Sequence, residues 1–200
     1  MSGFFYLFFL WSVWIFSTFI ISKQNKIRIW LATLSLLLLI LFPYKINLFT
    51  LTIQLPSLVM LAICFYHFSK LSLVKKIYMF VAIFIMMTGF CGMLLLELYD
   101  PVWMFFDRRF LLGGFLFLLS KLLFSQTLYS QIICTTAGTL QGEVIYSLIL
   151  KKWNFPYTIG SADYLDVYTI FLSISFTWTF MNYAFSNIST KSNIEREKQG

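Results

Sequence analysis

The run from Ile77 to Leu96 holds no charged side chain and no proline, and it constrains the fold more than any other feature. At about 1.5 Å of rise per residue, a helix of about 20 residues matches the roughly 30 Å hydrocarbon core of a bilayer. Comparable apolar runs recur along the chain between short polar stretches. Only 12% of the residues are charged and 60% are hydrophobic, whereas a globular chain carries about 25% charged residues. So few charges cannot coat a water-facing exterior of this size. A lipid-facing exterior needs none, so the expected fold is all-α: a polytopic transmembrane helix bundle of about seven spans.

The spans are read as follows. Phe4 to Ile21 is the first. Its positive charges, Lys23, Lys26 and Arg28, follow the apolar run and no small-x-small site is visible, which predicts an uncleaved helix and not a signal peptide. Ile29 to Phe42 is the second and ends at Pro43. From Ile46 to Leu55, Thr50, Thr52 and Gln54 interleave with Leu51, Ile53 and Leu55, an alternation that fits extended backbone at an interface. Pro56 suits the first turn of a third helix reaching about His67 or Phe68. The second and third runs are short, which leaves a re-entrant pair as the alternative. Ile77 to Leu96 is the fourth span, and Trp103 to Phe106 reads as an aromatic interface anchor. The fifth runs from Arg108 to Phe124, the sixth from Tyr129 to Leu150, and the seventh from Leu165 to Phe185. Residues 1–186 thus form one bundle, and 187–200 a polar cytoplasmic tail expected to be disordered.

Orientation follows from the basic residues. Ten of them, Lys23, Lys26, Arg28, Lys70, Lys75, Lys76, Lys121, Lys191, Arg196 and Lys198, fall on one side, against Lys45, Arg108, Arg109, Lys151 and Lys152 on the other. Positive charge accumulates in the cytoplasm, so the N-terminus is expected outside and the C-terminus inside. The net charge of +7 is spread over these clusters. It forms no continuous basic face, and nucleic acid is not an expected partner. Cys64, Cys91 and Cys134 lie inside apolar runs without metal-ligand spacing, as packed thiols do.

The acids suggest where chemistry could sit. Glu143 lies two turns before Lys151, roughly 10 Å into the sixth span at 1.5 Å per residue. An ionisable group inside a span costs about 2.5–3.5 kcal/mol at the bilayer centre, so Glu143 is expected to face protein or water. Gln131, Thr135, Gly138, Thr139, Gly142, Glu143 and Tyr146 share its helix face. Gly138 and Gly142 form a small-xxx-small packing seam. Asp166, Thr169, Ser173 and Thr177 offer a matching face on the seventh helix. Topology then predicts an outward-facing polar cluster of Glu97, Asp107, Arg108, Arg109, Glu143 and Asp166. The alternative is a packing seam with ordinary helix-end charges. The lone histidine, His67, has no second ligand nearby, and neither a zinc-protease, a nucleophile-elbow nor a phosphate-loop motif is present. No catalytic residue, metal or cofactor is expected.

Gly138-x-x-x-Gly142-Glu143-x-x-Tyr146, followed by Ile159-Gly160, Leu165-Asp166 and Trp178, resembles the YphA-like family of small membrane proteins from Gram-positive bacteria. The resemblance covers most of the chain, including the aromatic start and the basic first loop. It implies a multi-pass protein of the bacterial cytoplasmic membrane and brings no activity or ligand with it. The leading expectation is a non-enzymatic protein that binds or organises partners in the membrane, seated in the lipid bilayer among other membrane proteins. A small transporter or lipid-handling protein with a polar cavity around Glu143 and Asp166 is the second reading. A membrane enzyme using those two acids is the third.

Overall fold

The computed structural model describes residues 2–48, 51–100, 107–124 and 127–197. Seven α-helices coincide with the seven apolar runs: α1 (Phe4–Ile15), α2 (Lys26–Leu41), α3 (Leu55–Ser69), α4 (Leu73–Tyr99), α5 (Arg108–Leu123), α6 (Leu128–Lys151) and α7 (Ala162–Glu197). A π-helical turn, Phe16–Ile20, continues α1. By length and composition α4 and α6 are able to cross a membrane, while α1 with its π turn and α3 are shorter apolar helices. The aromatic anchor expected at 103–106 lies outside the described residues.

Three expectations change. The fold is mostly but not purely helical, because β1 (Lys45–Leu48) and β2 (Leu51–Gln54) form an antiparallel hairpin where alternation predicted one extended segment. A third strand, β3 (Thr158–Ile159), joins β2 in parallel, Ile53 opposite Ile159. Helix α4 begins at Leu73 and so takes in Lys75 and Lys76, which hydropathy leaves in a loop. Likewise α7 runs on to Glu197, through much of the stretch expected to be disordered. Apolar runs mark what lipid or protein covers, whereas a helix can continue into polar residues of good propensity such as Lys, Glu and Arg.

The closest packing is between α4 and α6. A Cβ on Gly138 would meet Met86 Cβ at 2.7 Å, and one on Gly142 would meet the Met87 carbonyl oxygen at 3.0 Å. The glycine pair therefore does bring two backbones together, as the small-xxx-small spacing predicts. Side chains buried on this seam include Met86, Phe90, Thr135 and Thr139.

The helices alternate between two ends. At the sheet end, the start of α1 meets the start of α7 through Gly3 and Asp166, and the end of α6 meets the loop before α7 through Glu143 and Gly160. At the opposite, basic end, Arg28 donates to the Thr18 carbonyl, the His67 ring meets the Tyr129 hydroxyl at 2.7 Å, and Tyr78 donates to the Leu123 carbonyl. Lys23, Lys26, Lys70, Lys75, Lys76 and Lys121 belong to that end by their place in the chain.

Candidate functional site

The loop from α6 to α7 builds the first half of the polar site. It turns at Asn154, whose φ is 59°, and lays Tyr157 edge-on to Tyr146 with ring centroids 5.1 Å apart. It then pairs β3 with β2 and turns again at Gly160. Gly160 has φ 68°, and a Cβ there would lie 2.2 Å from Ser57 Oγ at the start of α3. Only glycine fits both the left-handed backbone and the close approach. In that conformation its N–H reaches Glu143 Oε2 at 2.5 Å, while the Tyr157 hydroxyl donates to Oε1 at 2.5 Å. Burial, and then the neighbouring Glu143 carboxyl, push the Tyr157 phenol well above its ordinary range, which keeps it protonated as a donor. Glu143 itself is only 1% exposed.

Asp166 forms the second half, and it caps a helix other than its own. The opening amides of an α-helix have no partner within it. Asp166 Oδ2 accepts from the Gly3 N–H at 2.8 Å and Oδ1 from the Tyr6 N–H at 2.9 Å, so the carboxylate sits on the N-terminus of α1. The helix dipole favours a negative charge there. Arg109 Nη1 lies 3.0 Å from Oδ2, and Nη2 lies 3.2 Å from Asp163 Oδ1. Asp166 is fully buried, and these contacts satisfy both of its carboxyl oxygens.

The other predicted members play smaller parts. Arg108 Nε lies 2.9 Å from Glu97 Oε1 with both side chains partly exposed, a pair of the kind worth about 0–1 kcal/mol. Asp107 Oδ1 accepts from the Arg109 N–H at 3.1 Å and caps α5. All six predicted residues thus sit at one end of the bundle, and of the six Glu143 and Arg108 line a common cavity. The cavity beside Glu143 has a volume of about 60 Å³, is lined by Arg108, Tyr157, Asp163 and Tyr164 among others, and does not reach Asp166. It has room for a few water molecules at most. Tyr157, Gly160, Asp163 and Gly3 are the partners that sequence reasoning missed.

The larger feature of the molecule is apolar. A slot of about 700 Å³ lies between α1, α2, α3, α6 and α7. Tyr6, Leu10, Val13 and Phe16 contribute a stripe of α1 at helical spacing, spanning about 15 Å at 1.5 Å per residue. Leu34, Leu38, Cys64, Tyr168 and Leu172 continue the wall. The slot is closed toward the sheet end, where Tyr6, Leu10 and Tyr168 are buried. It opens toward the basic end, where Phe16, Trp30 and Phe176 are 53%, 50% and 48% exposed. A second depression of about 550 Å³, lined by Val59, Tyr66 and His67, shares Trp30 and Ile63 with it. The Tyr168 hydroxyl pairs with Thr136 Oγ1 at 2.6 Å, while the Tyr6 hydroxyl has no hydrogen-bond partner among the described residues.

A sequence profile of the YphA-like integral membrane protein family matches residues 2–200. The chain belongs to that family. A relative, the uncharacterized protein YphA of Bacillus subtilis (strain 168), is 23% identical over 192 residues, covering 96% of this chain and 94% of its own length. No solved structure matches the chain. The family is one of integral membrane proteins, and exposed large apolar side chains, Leu122 at 82% exposure among them, are the kind of surface that lipid can cover.

Proposed function

We propose that this chain is a seven-span, non-enzymatic protein of the bacterial cytoplasmic membrane, N-terminus outside, which binds a lipid chain in its apolar slot and uses its buried acids as an internal latch. The observation that carries the reading is the contrast between the two sites. Every oxygen of Glu143 and Asp166 accepts from a donor of the protein itself, and the polar cavity beside them holds about 60 Å³. The slot has about 700 Å³, inside the range of about 300–1,000 Å³ typical of ligand sites. That contrast supports a binding slot over a transport path along the acids.

The end-to-end contacts support seven spans over a re-entrant pair, because α2 begins at the basic end with Arg28 beside Thr18 and finishes at the hairpin of the sheet end. Helix α3 returns from the hairpin to His67 beside Tyr129. The excess of lysine at the basic end supports its lying in the cytoplasm.

Cysteine labelling in cells tests both parts, with the three native cysteines replaced by alanine. Asn47→Cys in the hairpin is expected to react with an impermeant maleimide from outside, and Gln24→Cys only after permeabilisation. Thr139→Cys, one turn from Glu143 on the buried face, is expected to stay unlabelled from either side. Labelling of Thr139→Cys from outside would mean a wet path past Glu143 and return the transport reading.

A further inference from the structure

The direction in which the slot opens identifies what it can take. Its closed end holds Tyr6 and Leu10, and its mouth is formed by Phe16, Trp30 and Phe176. An amphiphile therefore enters chain first and leaves its polar head at the mouth. The mouth lies at the basic end. Lys26 stands one turn before Trp30 on the same face of α2. On the facing side Lys70 follows Tyr66 by one turn, its Nζ 2.7 Å from the Tyr66 hydroxyl and 4.2 Å above the ring centroid. Tyr66, which Lys70 contacts, lines the depression that shares Trp30 with the slot. Among residues 2–186, the acids Glu97, Asp100, Asp107, Glu143, Asp163 and Asp166 all belong to the opposite end. Helix α1 also widens into its π turn at the mouth, Phe16–Ile20, a local geometry that recurs at functional sites.

We infer that the slot takes one acyl chain of an anionic phospholipid from the surrounding bilayer, with the phosphate held at the mouth by Lys26 and Lys70. The inference rests on the reading of the slot as a lipid-chain site and adds the head group and its direction. The cations meet the charge of the head, Trp30 and Tyr66 sit at the level where aromatic side chains border a membrane, and the apolar wall takes the chain.

Native mass spectrometry of the detergent-solubilised full chain, titrated with phosphatidylglycerol or phosphatidylcholine of identical chains, reads both parts. The wild type is expected to prefer phosphatidylglycerol by about tenfold or more. Lys26→Gln and Lys70→Gln, both at exposed positions, are each expected to weaken phosphatidylglycerol about fivefold and to leave phosphatidylcholine unchanged. Leu34→Trp, and independently Val13→Trp, place bulk in the slot and are expected to weaken both lipids. Equal binding of the two lipids by the wild type, or a preference that survives loss of both lysines, overturns the head-group inference while the slot stands. Binding of both lipids unaffected by either tryptophan overturns the slot itself.

Discussion

Asp166→Ala is expected to destabilise the folded protein by about 3–5 kcal/mol, the range for removing one partner of a buried ion pair. The loss has two sources. Arg109 loses its contact with the Asp166 carboxylate, and the Gly3 and Tyr6 amides at the start of α1 lose their acceptor. Unfolding in mixed micelles, followed by helical signal, measures the total. Arg109→Ala made together with Asp166→Ala should cost less than the two single losses added, because removing both charges leaves neither unpaired. A single variant within about 1 kcal/mol of wild type, far below the range for a buried pair, would show that Asp166 does not hold α1 to α7.

Glu143→Ala is expected to cost a similar amount, about 2–6 kcal/mol at the usual 1–3 kcal/mol for each buried group left without a partner. The stranded groups are the Tyr157 hydroxyl and the Gly160 N–H. Glu143→Gln keeps one acceptor oxygen but turns an NH₂ toward the other donor, so its loss should fall between wild type and alanine. The same unfolding measurement ranks the three proteins. A glutamine variant as stable as wild type would mean that the carboxyl is not gripped at both oxygens, and the latch would be wrong there.

Much of the helical layout was legible in the sequence because uncharged runs have one comfortable state in lipid. Pro56 and the alternation of Thr52 and Gln54 with Ile53 and Leu55 also located a turn from strand into helix correctly. Strand β3 was not legible, since two residues, Thr158 and Ile159, carry no period and pair only because the loop is pinned at Glu143 and Gly160. The helix-face argument put Glu143 and Asp166 at one end of the bundle but could not say what each touches. A face some 100° wide specifies direction and not partner. Tyr157 reaches Glu143 from a loop, and Gly3 lies at the far end of the chain from Asp166. The slot left no trace in hydropathy, because wall residues such as Leu10, Leu38 and Leu172 read like any packed leucine. What distinguishes them is where the helices part.

Photo-crosslinking in the membrane tests the central claim most directly. Benzoylphenylalanine replaces Leu38, on the wall of the slot, or Leu122, on the exposed surface of α5, each with and without Leu34→Trp. The predicted result is a lipid adduct at both positions, with Leu34→Trp abolishing the adduct at 38 and leaving the one at 122 unchanged. No adduct at 38, or one that Leu34→Trp does not diminish, would contradict a lipid chain held inside the bundle.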